Sequence, residues 1–263
     1  MTQMPILWER YADPDSYLRR QIVEAGVRAD GRAPLQTRVS EVERQVLRRS
    51  VAAGSALVRR GGTVVLAAVS VGARGKYRVE APCLGQGRRE AAAVNAPALQ
   101  AFAERVLAPV WRVDHASGSL CVEVLVLGAD GSVRDVITAA IDAARAQAVR
   151  EGASGDGGLL HLPATRLAAY TYALMVAPPA VSATLGDIDK PVSPSVIVAD
   201  PTAAEESAAV AATSVTVVVV YDESARAMPY LHHLECVGAP AAPPLIQQCI
   251  DLSLKAHHPA TDA

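Results

Sequence analysis

The sequence predicts a mixed α/β fold, α+β in its layering, made of two pseudo-repeated halves. Three observations predict it. Long β-branched runs recur in both halves, at Thr63 to Val71 and at Thr213 to Tyr221. A strand, an Asp130-Gly131 turn and a strongly amphipathic helical stretch follow one another in the first half. In the second half, strands again lead into an amphipathic stretch, Pro243 to His257, presenting Ile246, Ile250 and Leu254.

Composition bounds what such a chain can do. With 263 residues, 51% of them hydrophobic, it can bury a sizeable core as one large domain or two closely packed halves. Half-hydrophobic composition with a net charge of -2 excludes both a disordered chain and a generally basic nucleic-acid coat, so any nucleic-acid contact must be local. Only Lys76, Lys190 and Lys255 are lysines among the 25 basic residues, a bias that travels with the alanine and valine excess and carries no function. Cys83, Cys121, Cys236 and Cys249 form no close pair, and no charged-plus-apolar leader or twenty-residue apolar run is present. The expectation is a soluble, intracellular chain with reduced thiols, no membrane segment, no metal site and no cofactor. His232 and His233 are neighbours in a strand and point to opposite faces, so they do not converge on one ion.

In order along the chain, Asp13-Pro14 places an N-cap before a proline at the first helical position, Leu18, Ile22 and Ala25 share a face, and Gly26 stops the helix. RADGR, Arg28 to Arg32, is a turn whose arginines hold a loop by pairing with carboxylates or backbone carbonyls. GSALVRRGGTVVLAAVSV, Gly54 to Val71, predicts a hairpin turning at Gly61-Gly62 in the centre of a sheet. Gly72 to Gly87 is expected as a loop, and a helix runs near Glu90 to Leu107. Arg74, Lys76, Arg78, Arg88 and Arg89 make that region the local basic cluster, to be read either as a solvated loop or as an RNA contact.

Leu120 to Leu127 is the next strand, and Val136, Ile137, Ala140, Ile141, Ala144 and Ala148 line one face of the helix beyond the Asp130-Gly131 turn. GASGDGG at Gly152 to Gly158 marks a boundary. Strands are predicted at Thr171 to Ala177, Ser195 to Asp200, Thr213 to Tyr221 and Ala227 to Val237. The chain then divides into a docking helix with the RADGR leader (1–32), a first half (33–158) and a second half (159–263).

The wording R-x-DGR followed by GSALV-(K/R)-x-G-x-T-x-V resembles the RNase PH family, the phosphorolytic ribonucleases and the ring subunits of the RNA exosome. The resemblance covers nearly the whole chain and implies the RNase PH-like fold, two β-α units of the ribosomal protein S5 domain 2 type. The leader ERYADPDSYLRRQIVEAGVRADGR is similar to that of the non-catalytic subunits of the eukaryotic ring, on Tyr17, Arg19, Arg20, Arg28, Asp30, Gly31 and Arg32.

What the resemblance implies for the site is mixed. Arg88 and Arg89 stand where active relatives grip the RNA backbone, but the surrounding PCLGQGRREAAAVNA is more similar to the inactive class. Active relatives hold inorganic phosphate on a Gly/Ser-hydroxyl-Arg run at a helix start. Here the run is Gly131-Ser132-Val133-Arg134, leaving Ser132 and Arg134 as a residual anion site. Two aspartates six residues apart serve catalysis in active relatives, and their places are taken by Glu206 and Ala212, with Ser214 at the following asparagine. An alanine can neither bind a metal nor move a proton.

The resemblance therefore implies a catalytically inactive structural subunit of the exosome core ring, supporting 3′-to-5′ RNA processing and degradation, ribosomal RNA maturation included. Its implied partners are other RNase PH-like subunits in a hetero-hexameric ring, S1/KH-domain caps, an associated catalytic nuclease and single-stranded RNA, in the nucleus, the nucleolus and the cytoplasm. Two alternatives stay open: an active phosphate-dependent exoribonuclease, taking its second carboxylate from Asp222 or Asp187, and a free RNA-binding adaptor using the Arg74 to Arg89 cluster.

Overall fold

A computed structural model describes residues 10–72, 76–82, 96–110, 119–152, 165–176, 195–209, 213–222 and 228–257. Helix α1 (Pro14–Ala25) begins and ends as its sequence requires. The Asp13 carboxylate accepts the Ser16 N–H at 3.1 Å, Pro14 takes the first position, and Gly26 closes the helix at φ 66. Ile22, Leu18 and Val23 then seat it against Ala173, Met175 and Val198.

The first sheet has the order β1-β2-β3-β5-β4. Strands β2 (Gly54–Arg60) and β3 (Thr63–Gly72) form the expected hairpin, with Arg60 opposite Thr63 across the Gly61 turn, and β3 is central. β5 (Ser119–Gly128) pairs antiparallel with β3. Two strands were not expected. β1 (Ser40–Arg44) lies on the β2 edge, and β4 (Lys76–Glu80) runs parallel to β5 within the segment expected as a loop. The correction has a simple cause: Lys76, Arg78 and Glu80 alternate with buried Tyr77 and Val79, so the charges mark one face of an edge strand. Helix α2 (Ala96–Phe102) continues into a π-helical turn, Ala103–Leu107, and buries Leu99, Phe102, Val106 and Leu107.

The second sheet has the order β7-β6-β8-β9, from β6 (Thr165–Val176), β7 (Ser195–Ala199), β8 (Ser214–Asp222) and β9 (Tyr230–Val237). Strand β6 begins at Thr165 rather than Thr171, which gives it the length to pair along the whole of β8.

Between the sheets lies α3 (Val133–Gly152), a 20-residue helix. Its expected apolar face is in place, with Val136, Ile137, Ala140, Ile141, Ala144 and Ala148 at most 1% exposed. Sequence patterning predicts one buried face, but Thr138, Asp142 and Arg145 are buried as well, because the first sheet covers one side and Leu167, Ala169, Val218 and Val220 cover another. The charges survive burial by pairing: Arg166 donates to Asp142 and Arg145 to the Thr165 carbonyl. Gly54 permits the close approach of β2, since a Cβ there would strike the Ala144 carbonyl.

On the far side of the second sheet, α5 (Pro243–Lys255) packs Leu245, Cys249, Ile250, Leu252 and Leu254 over Tyr172, Leu174, Ile197, Val215, Val217 and Val219. Its buried seam runs through Cys249 and Ser253, both 0% exposed, instead of through Ile246. A short helix, α4 (Ala203–Ala208), precedes β8. Among the described residues, no helix is long and apolar enough to cross a membrane.

Candidate functional site

Three short segments meet at the N-terminal end of α3. The first is the turn Asp130-Gly131-Ser132, the second is the β7–α4 turn at Asp200 to Thr202, and the third is the leader from Arg28 to Arg38. Gly131 sits at φ 76 with its missing side chain facing the Pro201 carbonyl and Thr202 backbone, so only glycine lets the two turns touch. The Ser132 hydroxyl donates to that carbonyl at 3.1 Å, and Ser132 itself is held at φ 49.

The short helix α4 explains what meets this turn. Thr202 accepts the Glu205 N–H at 3.3 Å while Glu205 accepts the Thr202 N–H at 2.7 Å, a reciprocal capping box. By residue type alone Asp200, Glu205 and Glu206 make an acidic turn at a strand end. Thr202-x-x-Glu205 was the signal that a helix starts there.

Capping aims Glu205 and Glu206 in different directions. Glu205 is buried against Arg28, whose Nε donates to Oε1 at 2.8 Å and whose other nitrogens donate to the carbonyls of Ala199 (2.7 Å), Asp200 (2.8 Å) and Gln36 (3.1 Å). Arg32 donates to Asp30 (2.7 Å) and to Asp200 (3.2 Å). Both arginines thus hold the loop by carboxylates and carbonyls, as expected of an Asp-Gly turn. Arg38 completes the clasp, donating to Asp200 from its backbone N–H (2.8 Å), Nε (2.9 Å) and Nη2 (2.8 Å), and to Asp130 at 3.1 Å. Burial alone would raise the Asp200 pKa, but these bonds from Arg38 hold it below the ordinary value.

Glu206 faces the other way, onto α3. Its carboxylate accepts the Ser132 N–H at 2.8 Å, so the protein's own acid takes the place at the helix start where an anion would sit. Burial pushes the Glu206 pKa up to about 7, opposed by the Ser132 N–H and by Arg134 and Arg38 and reinforced by Asp135.

Asp135, in the first turn of α3, was not singled out from the sequence. It is 2% exposed and accepts the Thr171 N–H at 2.9 Å and the Thr171 hydroxyl at 2.6 Å, with Arg60 at 3.6 Å. Its pKa is raised to about 6 by burial, against the pull of Arg60 and Thr171. It lines a cavity of about 280 Å³ together with Thr37, Arg60, Tyr170 and Asp200.

Arg134 is drawn inward and is buried. Its guanidinium lies over the Phe102 ring at 5.6 Å and donates to Glu235 at 3.3 Å and to the Thr216 hydroxyl at 3.5 Å. Its Nε is buried without a hydrogen-bond partner among the described residues. The structure therefore brings Ser132, Arg134 and Glu206 into one neighbourhood.

Other sequence-derived residues lie elsewhere. Lys76 and Arg78 are exposed on β4, with Arg78 paired to Glu80, while Arg74, Arg88, Arg89, Ala212 and Asp187 lie outside the described residues. Asp222 ends β8 opposite Thr165, about 20 Å along the strand from Thr216, the residue that Arg134 touches. A second carboxylate for Glu206 therefore does not come from Asp222.

The layered arrangement defines a two-sheet α/β protein in which a helix-start turn and a carboxylate-bearing turn face each other. No family model matches the chain, and neither does any curated protein sequence. Solved structures do. A chain of the Archaeoglobus fulgidus exosome with RNA bound to the active site superposes with a TM-score of 0.64 at 19% identity, over 93% of this chain and 96% of that one. An archaeal exosome core chain gives 0.63 at 19% identity over 96% of each, and rice (Oryza sativa) Rrp46 gives 0.60 at 22% identity over 87% and 93%. The chain has the fold of exosome core subunits.

Proposed function

We propose that this protein is a catalytically silent subunit of an exosome core ring, serving assembly and the passage of RNA 3′ ends toward a separate nuclease. The observation that carries the reading is the Glu206 carboxylate on the Ser132 amide at 2.8 Å. A phosphorolytic enzyme needs that helix start for inorganic phosphate, whereas here a tethered acid competes for it. The alanine at position 212 supports the same conclusion, because no proton relay or metal ligand can be built on it.

The fold shared with exosome core chains, one of them from an exosome with RNA bound to the active site, supports a ring of RNase PH-like subunits with single-stranded RNA in its path. S1/KH-domain caps and an associated nuclease complete the proposed assembly, which works in the nucleus, the nucleolus and the cytoplasm on ribosomal and other RNAs. Within the class of inactive ring subunits we assign it to the type of ribosomal RNA-processing protein 43, on the resemblance of its leader, Tyr17 to Arg32.

Native mass spectrometry of the complex recovered with a tagged copy tests the proposal. One copy within a heteromeric assembly of RNase PH-like chains is the expected result, with no phosphate-dependent release of nucleoside diphosphates from the purified chain. A homo-oligomer, or measurable phosphorolysis, would overturn it.

A further inference from the structure

We propose that the outer face of the first sheet docks an amphipathic helix of a partner protein, about 13 residues long, with an aliphatic stripe and a lysine or arginine at each end.

The argument starts from strand register. Glu43 pairs with Leu57, Leu57 with Leu66, Leu66 with Leu125, and Leu125 with Glu80, so one row crosses all five strands. Its middle is three leucines and each end is a glutamate. The next row on the opposite face, through Ala56, Ala67, Val124 and Val79, is buried under α3 and its neighbours. Leu57, on β2, is 9% exposed, while Leu66 and Leu125 are partly exposed and belong to none of the buried clusters formed by the described residues, and Leu127, on the same face of β5, is 49% exposed. A groove of about 260 Å³ runs here between Leu47 and the Arg78 and Glu80 side chains, with Leu66, Ala68 and Leu125 as its floor and the exposed Glu123 beside them.

The second sheet indicates what such a face takes. There α3 and α1 lie on one face and α5, a 13-residue helix, lies on the other. In the first sheet the described helices pack on the α3 face, and none lies over the leucine row. The dimensions fit the same kind of occupant: four strand spacings separate Glu43 from Glu80 by about 19 Å, which is the length of a helix of about 13 residues. The charges select the ends. Glu43 and Glu80 are 63% and 51% exposed, and their present partners, Arg59 and Arg78, are half-exposed on the same face, so a helix-borne base can join each pair without displacing it.

Fluorescence anisotropy on the full chain tests this with two labelled synthetic helical peptides sharing one leucine stripe, ending in lysines or in glutamates. The lysine-ended peptide should bind about tenfold more tightly, and Leu125→Glu should abolish binding. Leu127→Glu, at a more exposed site, should weaken binding about tenfold without lowering the melting temperature, which keeps the test alive if Leu125→Glu does not fold. Glu43→Lys with Glu80→Lys should reverse the preference. Equal binding of the two peptides, binding of neither, or binding unmoved by these variants overturns the proposal. So does a self-associated chain whose dimer is lost with Leu127→Glu, since a second copy would then be the occupant.

Discussion

The two sheets are written in the same β-branched vocabulary and share α3 as a common wall, yet they end differently. The second sheet is covered on both faces by the chain's own helices, and its charges are drawn into buried pairs such as Arg28 with Glu205. On its outer face the first sheet leaves Leu66 and Leu125 partly exposed and Leu127 49% exposed, with its charges in open pairs such as Arg78 with Glu80. The difference teaches where stability and where recognition reside: burial makes an ion pair costly to break, while exposure leaves a surface that a partner can still use.

The sharpest way to break this comparison is at its most buried charge. Arg28→Ala should cost about 3–5 kcal/mol, because it leaves Glu205 without its partner in the interior, and chemical denaturation would measure it. A cost no larger than that of a surface variant would mean that the clasp does not secure the leader. A matched pair of truncations comes next. Leu174→Ala, under α5, should cost about 2–4 kcal/mol. Leu66→Ala, at the corresponding depth of the first sheet's open face, should cost under about 1 kcal/mol in the isolated chain. Equal costs would show that the outer face is covered after all.

The third effect is smaller and depends on pH. Glu206 ionises near 4.5 in the unfolded chain and at about 7 when folded. Below pH 4.5 both states hold the proton, and between the two values only the folded state does, so stability falls as pH rises through that window. Glu206→Gln keeps an acceptor for the Ser132 N–H and should flatten the fall by on the order of 1 kcal/mol. Asp135, raised to about 6, supplies the slope that remains. Melting temperatures recorded from pH 4.5 to 8 would decide, and an unchanged slope would place Glu206 in water. Smallest of all, Arg78→Ala should change stability by under about 0.5 kcal/mol, and a larger loss would move that pair from the rim into the core.

How much of this was legible follows residue by residue. The hairpin at Gly61-Gly62, the capped helix at Asp13-Pro14 and the apolar face of α3 were readable because turn chemistry and periodicity are local. Strand β4 was missed because three charges in five residues outweighed a clean alternation, and α4 because two glutamates masked a capping box. Of the candidate site, Ser132, Arg134 and Glu206 were each singled out, but nothing local said that Glu206 would reach the Ser132 amide. Asp135 gave no signal at all, since an aspartate in a first helical turn is ordinary.

By itself the sequence determined the Gly61-Gly62 hairpin, the capped first helix and the apolar face of α3, and it places an alanine at position 212, because propensity, periodicity and residue identity are written one position at a time. Tertiary structure decided which faces stay open and which acid meets which amide. Those outcomes depend on strand order and on residues 74 positions apart, as Ser132 and Glu206 are, and burial, reinforced by Asp135, then pushes the Glu206 pKa up to about 7.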